Sequence, residues 1–192
     1  MTKKGGISEM TEMEKMRSGD MYMITDPEVQ ASGRRAKDLC RRLLATTPYD
    51  EEFRRLISEL IPGIPSNVTI CPPFFCDYGS GIILGDNVFI NYNCVFLDSG
   101  LITLGDNVLI GPNCQLLTPI HPFDSVERRL PKERALPITI GADSWLGGGV
   151  TVCPGVNIGK GCIIGAGSVV TKDIPDFSLA AGNPATVKKH LK

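Results

Sequence analysis

Hydrophobic and polar positions change period part-way along the chain. From residue 84 onward an apolar residue returns every sixth position: Leu84, Ile90 and Phe96, then Leu104, Ile110 and Leu116, then Ile140, Leu146, Val152, Ile158, Ile164 and Val170. The next residue is small or polar in most repeats (Gly85, Asn91, Gly105, Gly111, Gly141, Gly147, Gly159, Gly165), and the one four positions on is small or β-branched (Val88, Cys94, Val108, Cys114, Ser144, Val150, Val156, Cys162, Ser168). An α-helix cannot keep such a pattern on one face, because six residues turn it by about 600°. A parallel β-helix with a triangular section can, each hexad supplying one short strand and one corner. The apolar position then points inward and the small residue fits the narrow interior. The glycine or asparagine in between is expected at the corner, since both tolerate φ > 0. The fold class is mainly β, and the period leaves the hand open.

Two breaks interrupt the ladder. The step from Phe96 to Leu104 is eight residues, so Asp98-Ser99-Gly100 carries a two-residue insertion. The step from Leu116 to Ile140 is 24, but the segment at about 118–137 is rich in proline and charge and fails the pattern. It reads as a loop extruded from the prism, and long loops inside compact folds usually carry function.

The first part of the chain has helical spacing. Asp26-Pro27-Glu28 is a helix start: a capping carboxylate, a proline where no N–H is needed, and an acid in the first turn. Leu39, Cys40, Leu43 and Leu44 form an apolar stripe, and a further helix is expected from near Asp50, with Phe53, Leu56, Ile57, Leu60 and Ile61 on one face. Pro62-Gly63-Ile64-Pro65 stops it. Composition shifts there as well, from 22 charged residues and four glycines in 1–62 to 19 and 17 in 63–192. Two units are expected, a helical cap (1–62) and a β-helix with a tail (63–192).

Composition adds exclusions. With 42% apolar and 21% charged residues, a packed core is expected. A net charge of −1 gives no argument for nucleic acid or an anionic membrane as partner. No stretch approaches the ~20 apolar residues of a membrane span. The N-terminus lacks an apolar leader region, so a cytoplasmic location is expected. Seven cysteines without a Cys-x-x-Cys pair read as reduced thiols, three of them (Cys94, Cys114, Cys162) at interior hexad positions.

Several segments resemble the maltose/galactoside O-acetyltransferases. They are the hexad run, Thr118-Pro119-Ile120-His121-Pro122-Phe123-Asp124, the stretch from Ile140 through Trp145 to Gly148, Gly165 through Thr171 and Lys172 to Pro175, and Ala181-Gly182-Asn183-Pro184-Ala185. The segment from Glu14 to Tyr22, followed by Asp26, is similar to that family's helical cap. The resemblance runs from about 12 to 190. It implies a left-handed β-helix, a homotrimer with active sites between subunits, and transfer of acetyl from acetyl-CoA to a sugar hydroxyl without a metal or covalent intermediate.

A hydroxyl attacking a thioester needs a base, and the departing thiolate needs an acid. One imidazole serves both, since its pKa lies near the working pH. Of the two histidines, His190 lies in the Lys188-Lys189-His190 tail, read as solvated charge, and His121 matches the family's catalytic position. Glu133 is the family-like partner that would fix its tautomer, a task a backbone carbonyl also performs. The resemblance makes Asn91 a substrate-contacting amide suited to developing negative charge. It gives Asp77, Asp98 and Ser99 the acceptor. Trp145, Gly148 and Ala166 would line the acetyl-CoA arm, with Thr171, Lys172 and Lys189 as further contacts. Three positions depart from the family. Thr186 stands where arginine is common, leaving the phosphate contact to Lys188. Ile24 and Gly33 replace a carboxylate and a basic residue on the acceptor side, so the acceptor need be neither galactoside nor maltose. A zinc lyase on the same fold would need three histidines. A non-catalytic hexapeptide scaffold remains an alternative, as does another small acceptor such as an amino sugar.

Overall fold

The structure, a computed structural model, describes residues 10–192; the reading of the extreme N-terminus lies outside the described residues. The hexads build a parallel β-helix of three faces. Face B stacks Thr69–Ile70, Phe89–Ile90, Leu109–Ile110, Trp145–Leu146, Ile163–Ile164 and Ser178–Gly182. Face C stacks Phe74–Cys76, Cys94–Leu97, Gln115–Leu117, Thr151–Val152 and Val169–Val170, and face D stacks Ile82–Leu84, Ile102–Leu104, Ile138–Ile140 and Asn157–Ile158. Every hexad apolar position is buried, and so is every small position four residues on. Interior space too narrow for larger side chains explains the cysteines and serines there. Ser144 Oγ donates to the carbonyl of Gly159 at 2.8 Å, so its burial leaves no orphan.

The corner chemistry differs from the expectation. The residue after the apolar position does not carry φ > 0. That conformation falls two residues later, at Asn87, Asn93, Asn107, Asn113, Asp143, Gly149, Gly155, Gly161 and Gly167. At one corner these side chains form a ladder: Asn87 Nδ2 donates to Asn107 Oδ1 at 3.3 Å, and Asn107 Nδ2 to Asp143 Oδ1 at 2.9 Å. The earlier glycine is required for a different reason. A Cβ on Gly111 would lie 2.6 Å from the Gly148 nitrogen, and one on Gly147 2.7 Å from the Ala166 nitrogen. Successive coils touch backbone to backbone there.

Register explains both interruptions. Leu84 pairs with Leu104, a step of twenty, whereas Leu146 pairs with Ile164, a step of eighteen. The extra two residues are the Asp98–Gly100 corner, closed by Thr118, whose Oγ1 accepts from Gly100 N at 2.8 Å. Leu104 pairs with Ile140, a step of 36, or one eighteen-residue coil plus an excursion of equal length. The excursion is ordered: Pro119–Ile120 pairs antiparallel with Lys132–Ala135, with a 3-10 turn at Glu127–Arg129 between them.

Among the described residues three helices precede the prism. The first, α1 (Glu12–Ser18), has a capping box, Thr11 accepting from Glu14 N and Glu14 from Thr11 N. The second, α2 (Pro27–Leu43), is capped by Asp26, which accepts from Glu28 N and Val29 N. The third, α3 (Glu51–Leu60), buries Phe53, Leu56, Ile57 and Leu60, with Ile61 buried at its end. Leu44 departs from the expected stripe and is exposed. Helices α2 and α3 lie on the open end of the prism, and one apolar cluster runs from Leu39 and Leu56 through Phe74 to Ala180. They thereby cover interior side chains that the first coil would expose to water. Tyr22–Met23 adds a third strand to the extruded hairpin, Tyr22 opposite Glu133. The tail is an ordered strand, Ala185–His190, pairing antiparallel with Ser178–Gly182, and its Lys188, Lys189 and His190 side chains are exposed, as expected. All seven cysteines are free, as expected, with Cys40 and Cys76 Sγ 3.9 Å apart between cap and prism. Among the described residues no helix is long and apolar enough to cross a membrane.

If backbone contact is the reason for the corner glycines, Gly147→Ala should destabilise the protein by roughly 1–3 kcal/mol, the range for overpacking. Asn113→Gly, at a left-handed corner, should change stability by a few tenths of that. Chemical unfolding midpoints of the two variants check this.

Candidate active site

The C–D corner, the extruded hairpin and α2 enclose a cleft of about 520 Å³. Its floor carries His121, Glu133, Ser99, Asp77 and Tyr78, and α2 supplies Val29, Gln30, Gly33, Arg34 and Lys37 as a wall. The spacing of these wall residues is one face of a helix. Ile24 closes the side next to the cap strand.

His121 stands at the end of Pro119–Ile120, its side chain 59% exposed to the cleft. Its Nε2 lies 3.5 Å from Glu133 Oε2, the Glu133 side chain being 11% exposed. Hairpin pairing brings them together, since Ile120 is opposite Arg134. A proton held on Nε2 toward the carboxylate leaves Nδ1 with a free lone pair, the state a base requires. Glu133 Oε1 accepts from the Tyr22 hydroxyl. Burial, then the Glu133 hydrogen bond, push the Tyr22 phenol well above its ordinary range. Tyr78 is pushed up to about 12, mainly by burial and by Asp77.

Asp77 faces both the cleft and an adjoining groove of about 420 Å³ beneath α2. Burial, then the charges of Asp98 and Glu133, push its carboxyl up to about 6, and Lys37 opposes them.

Asp98 does not sit where an acceptor contact would. Its side chain is fully buried and outside the cleft lining. Oδ1 accepts from Asp77 N at 3.0 Å and Tyr78 N at 2.8 Å, and Oδ2 from Gly81 N at 2.9 Å. Arg17 of α1 lies 4.0 Å from Oδ2 and donates to the Ser99 carbonyl at 2.9 Å. The carboxylate therefore shapes the turn that presents Asp77 and Tyr78. Ser99, buried, remains on the cleft lining.

The remaining candidates are not gathered at this cleft. Asn91 is on the B–C corner, its Oδ1 accepting from Tyr92 N at 2.8 Å. The same corner holds Gly148 and Ala166, since Gly111 N reaches the Leu146 carbonyl and Gly147 N the Ile164 carbonyl in successive coils. Trp145 is exposed on the outer side of face B, flanked by Leu109 and Ile163. Thr171 and Lys172 follow the last face-C strand. Thr186 and Lys189 lie on the C-terminal strand, and Lys188 Nζ donates to Thr186 Oγ1 at 2.7 Å. Among the described residues no group of three metal-ligating side chains is gathered. Tyr22, Arg17, Gln30 and Lys37 were absent from the sequence-based candidates. The Thr11-x-x-Glu14 capping box was the one local signal that a helix carries Arg17 to the turn.

A family model for the maltose acetyltransferase hexapeptide capping motif matches residues 15–64, and one for the bacterial transferase hexapeptide matches 137–172. A Staphylococcus aureus protein named for an acetyltransferase is 50% identical over 184 residues, 95% of this chain and 92% of its own length. The chain belongs to the hexapeptide-repeat acetyltransferases. The crystal structure of a maltose O-acetyltransferase from Clostridium difficile superposes with a TM-score of 0.91 at 40% identity, over 95% of this chain and 98% of that one. A hexapeptide-repeat acetyltransferase from Vibrio cholerae, complexed with acetyl coenzyme A, gives 0.89 at 38%, over 95% and 100%.

Two outcomes separate the carboxylates in this acetyltransferase. Asp98→Ala should cost about 3 kcal/mol or more, because three backbone N–H groups and Arg17 lose a buried charged partner; a near-native unfolding midpoint would return Asp98 to the acceptor. Asp77 has a raised folded pKa, so the folded state binds the extra proton, and stability should fall as pH rises from about 4 to about 6. Asp77→Asn should flatten that interval, as read by unfolding midpoints across pH.

Proposed function

We propose that this chain is an acetyl-CoA-dependent O-acetyltransferase acting on a hydroxyl of a sugar or glycoside by direct transfer. The observation that carries the reading is the His121–Glu133 pair on the floor of a cleft lined by hydrogen-bonding side chains. In the reaction, the acceptor hydroxyl gives its proton to His121 Nδ1 as its oxygen bonds to the thioester carbonyl carbon. Glu133 offsets the charge gained by the imidazole. The tetrahedral oxyanion collapses, the C–S bond breaks, and the proton on His121 passes to the departing thiolate. Asn91 is the residue suited to donate to the oxyanion. Asp77, Ser99 and Gln30 suit the remaining acceptor hydroxyls, and no step calls for a metal.

Asn91 and His121 border the two opposite edges of face C. One copy therefore holds the base and the acceptor cleft on one edge, with Asn91, Gly148 and Ala166 on the other. A closed ring of copies meeting edge to edge would complete each site, and a homotrimer is the assembly we propose. Trp145, Thr171, Lys172, Thr186 and Lys189 are the further residues we assign to acetyl-CoA. The name of the Clostridium difficile neighbour supports a sugar acceptor. Ile24 and Gly33 on the cleft lining favour a second reading, in which the acceptor is another small hydroxyl or amine compound.

Thiol release from acetyl-CoA, screened over sugars and amino sugars, tests both. His121→Ala should lower the rate by roughly 10²–10⁴-fold with an unchanged unfolding midpoint. A full-rate variant would end the assignment, and thiol release with amines alone would select the second reading.

A further inference from the structure

We propose that Tyr22, a residue of the N-terminal cap, is a positioning residue for the catalytic pair: its hydroxyl fixes the Glu133 carboxylate and tempers the charge presented to His121. The inference rests on the reading of His121 as general base.

Three observations carry it. Tyr22 is 1% exposed, packed with Met16, Val29 and Tyr78, and its hydroxyl donates to Glu133 Oε1. The other oxygen of that carboxylate faces His121 at 3.5 Å. The backbones are tied as well, Tyr22 being in register with Glu133. The phenol is a buried polar group that the acyl-transfer steps leave unused, and it touches the one carboxylate that orients the base. A hydrogen bond to a carboxylate is charge-assisted, and its two oxygens share one charge. Donation to Oε1 therefore does two things. It stops rotation of the carboxylate, so Oε2 stays aimed at the imidazole. It also draws negative charge away from Oε2, so the proton on His121 is held less tightly and passes more readily to a thiolate. Arg17, Asp77, Tyr78 and Asp98 surround Tyr22 and Glu133 on the prism side, and all are left in place by the test.

The chain has two histidines, so ¹⁵N-histidine NMR gives two titration curves, with His121→Ala identifying which is which. In Tyr22→Phe the His121 midpoint should move up by about half a pH unit or more. The same change in a Glu133→Gln background should leave it unmoved, because the carboxylate is the group through which Tyr22 reaches His121. With acetyl-CoA and maltose as probes, kcat should fall about tenfold with KM for acetyl-CoA unchanged. An unmoved midpoint in Tyr22→Phe, or an equal shift in both backgrounds, overturns the proposal. If His121→Ala keeps the full rate, the functional reading fails; if it is inactive and Tyr22→Phe titrates as wild type, only the role of Tyr22 falls. Should Tyr22→Phe not fold, protein made with 3-fluorotyrosine, a stronger donor of the same shape, should move the midpoint down, and no movement there is equally decisive against it.

Discussion

The fold depends on how closely consecutive coils approach at their corners. Strands in a parallel ladder sit about 4.8 Å apart, and a corner must keep that spacing while the chain changes direction. At Gly111, Gly141 and Gly147 the neighbouring coil's backbone occupies the space a Cβ would need. Two residues later the chain makes its left-handed step, through asparagine in the early coils and glycine in the late ones. A coil that obeys both conditions points its apolar residue inward with no further instruction. The interior then becomes a column of stacked Leu, Ile, Val, Cys and Ser, each supported by the same position one coil away.

Where the corner rule is broken, the candidate site is placed. The Asp98–Gly100 corner has two residues too many, and a fully buried carboxylate ties the adjacent turn into a shelf for Asp77 and Tyr78. One coil later, the same edge releases the hairpin that carries His121 and Glu133. The rest of the prism is regular, so the departures are confined to one edge and one end. The cap occupies that end. Arg17 reaches the shelf, α2 walls the cleft, and Tyr22–Met23 extends the hairpin sheet. The cleft has no complete lining without the cap.

The period of six was legible because it is enforced at every coil by packing, and packing selects residue types that a reader can count. The cap helices were legible for a similar reason: Asp26-Pro27 and the stripe Phe53, Leu56, Ile57, Leu60 state their ends and their buried face. Other features were less visible. The left-handed step falls two residues after the expected glycine position, because conformational freedom and absence of a side chain select the same residue and only the structure tells them apart. Asp98 was given to the acceptor because a motif marks a place in the chain and not a direction, and its side chain turns into the prism. Tyr22 has no local sequence signal of its role, since its partner is 111 residues away and joined to it only by the hairpin.

In the proposed reaction the two edges of face C would hold unlike halves of the chemistry, and this asymmetry has a physical source. A solenoid repeats its corners, so a single copy stacks Gly111, Gly147-Gly148 and Gly165-Ala166 along the B–C edge of three successive coils. It has just one place where a long excursion leaves the C–D edge. A flexible thioester arm suits the repeated groove, which offers backbone groups without bulky side chains. A base needs the reverse, a held orientation with a partner, and in the proposed reaction the hairpin would supply it through paired strands and Glu133. The excursion that carries the imidazole leaves from the C–D edge, whereas the stacked small residues lie on the B–C edge. Copies meeting edge to edge, as proposed, would bring the two together without altering either half.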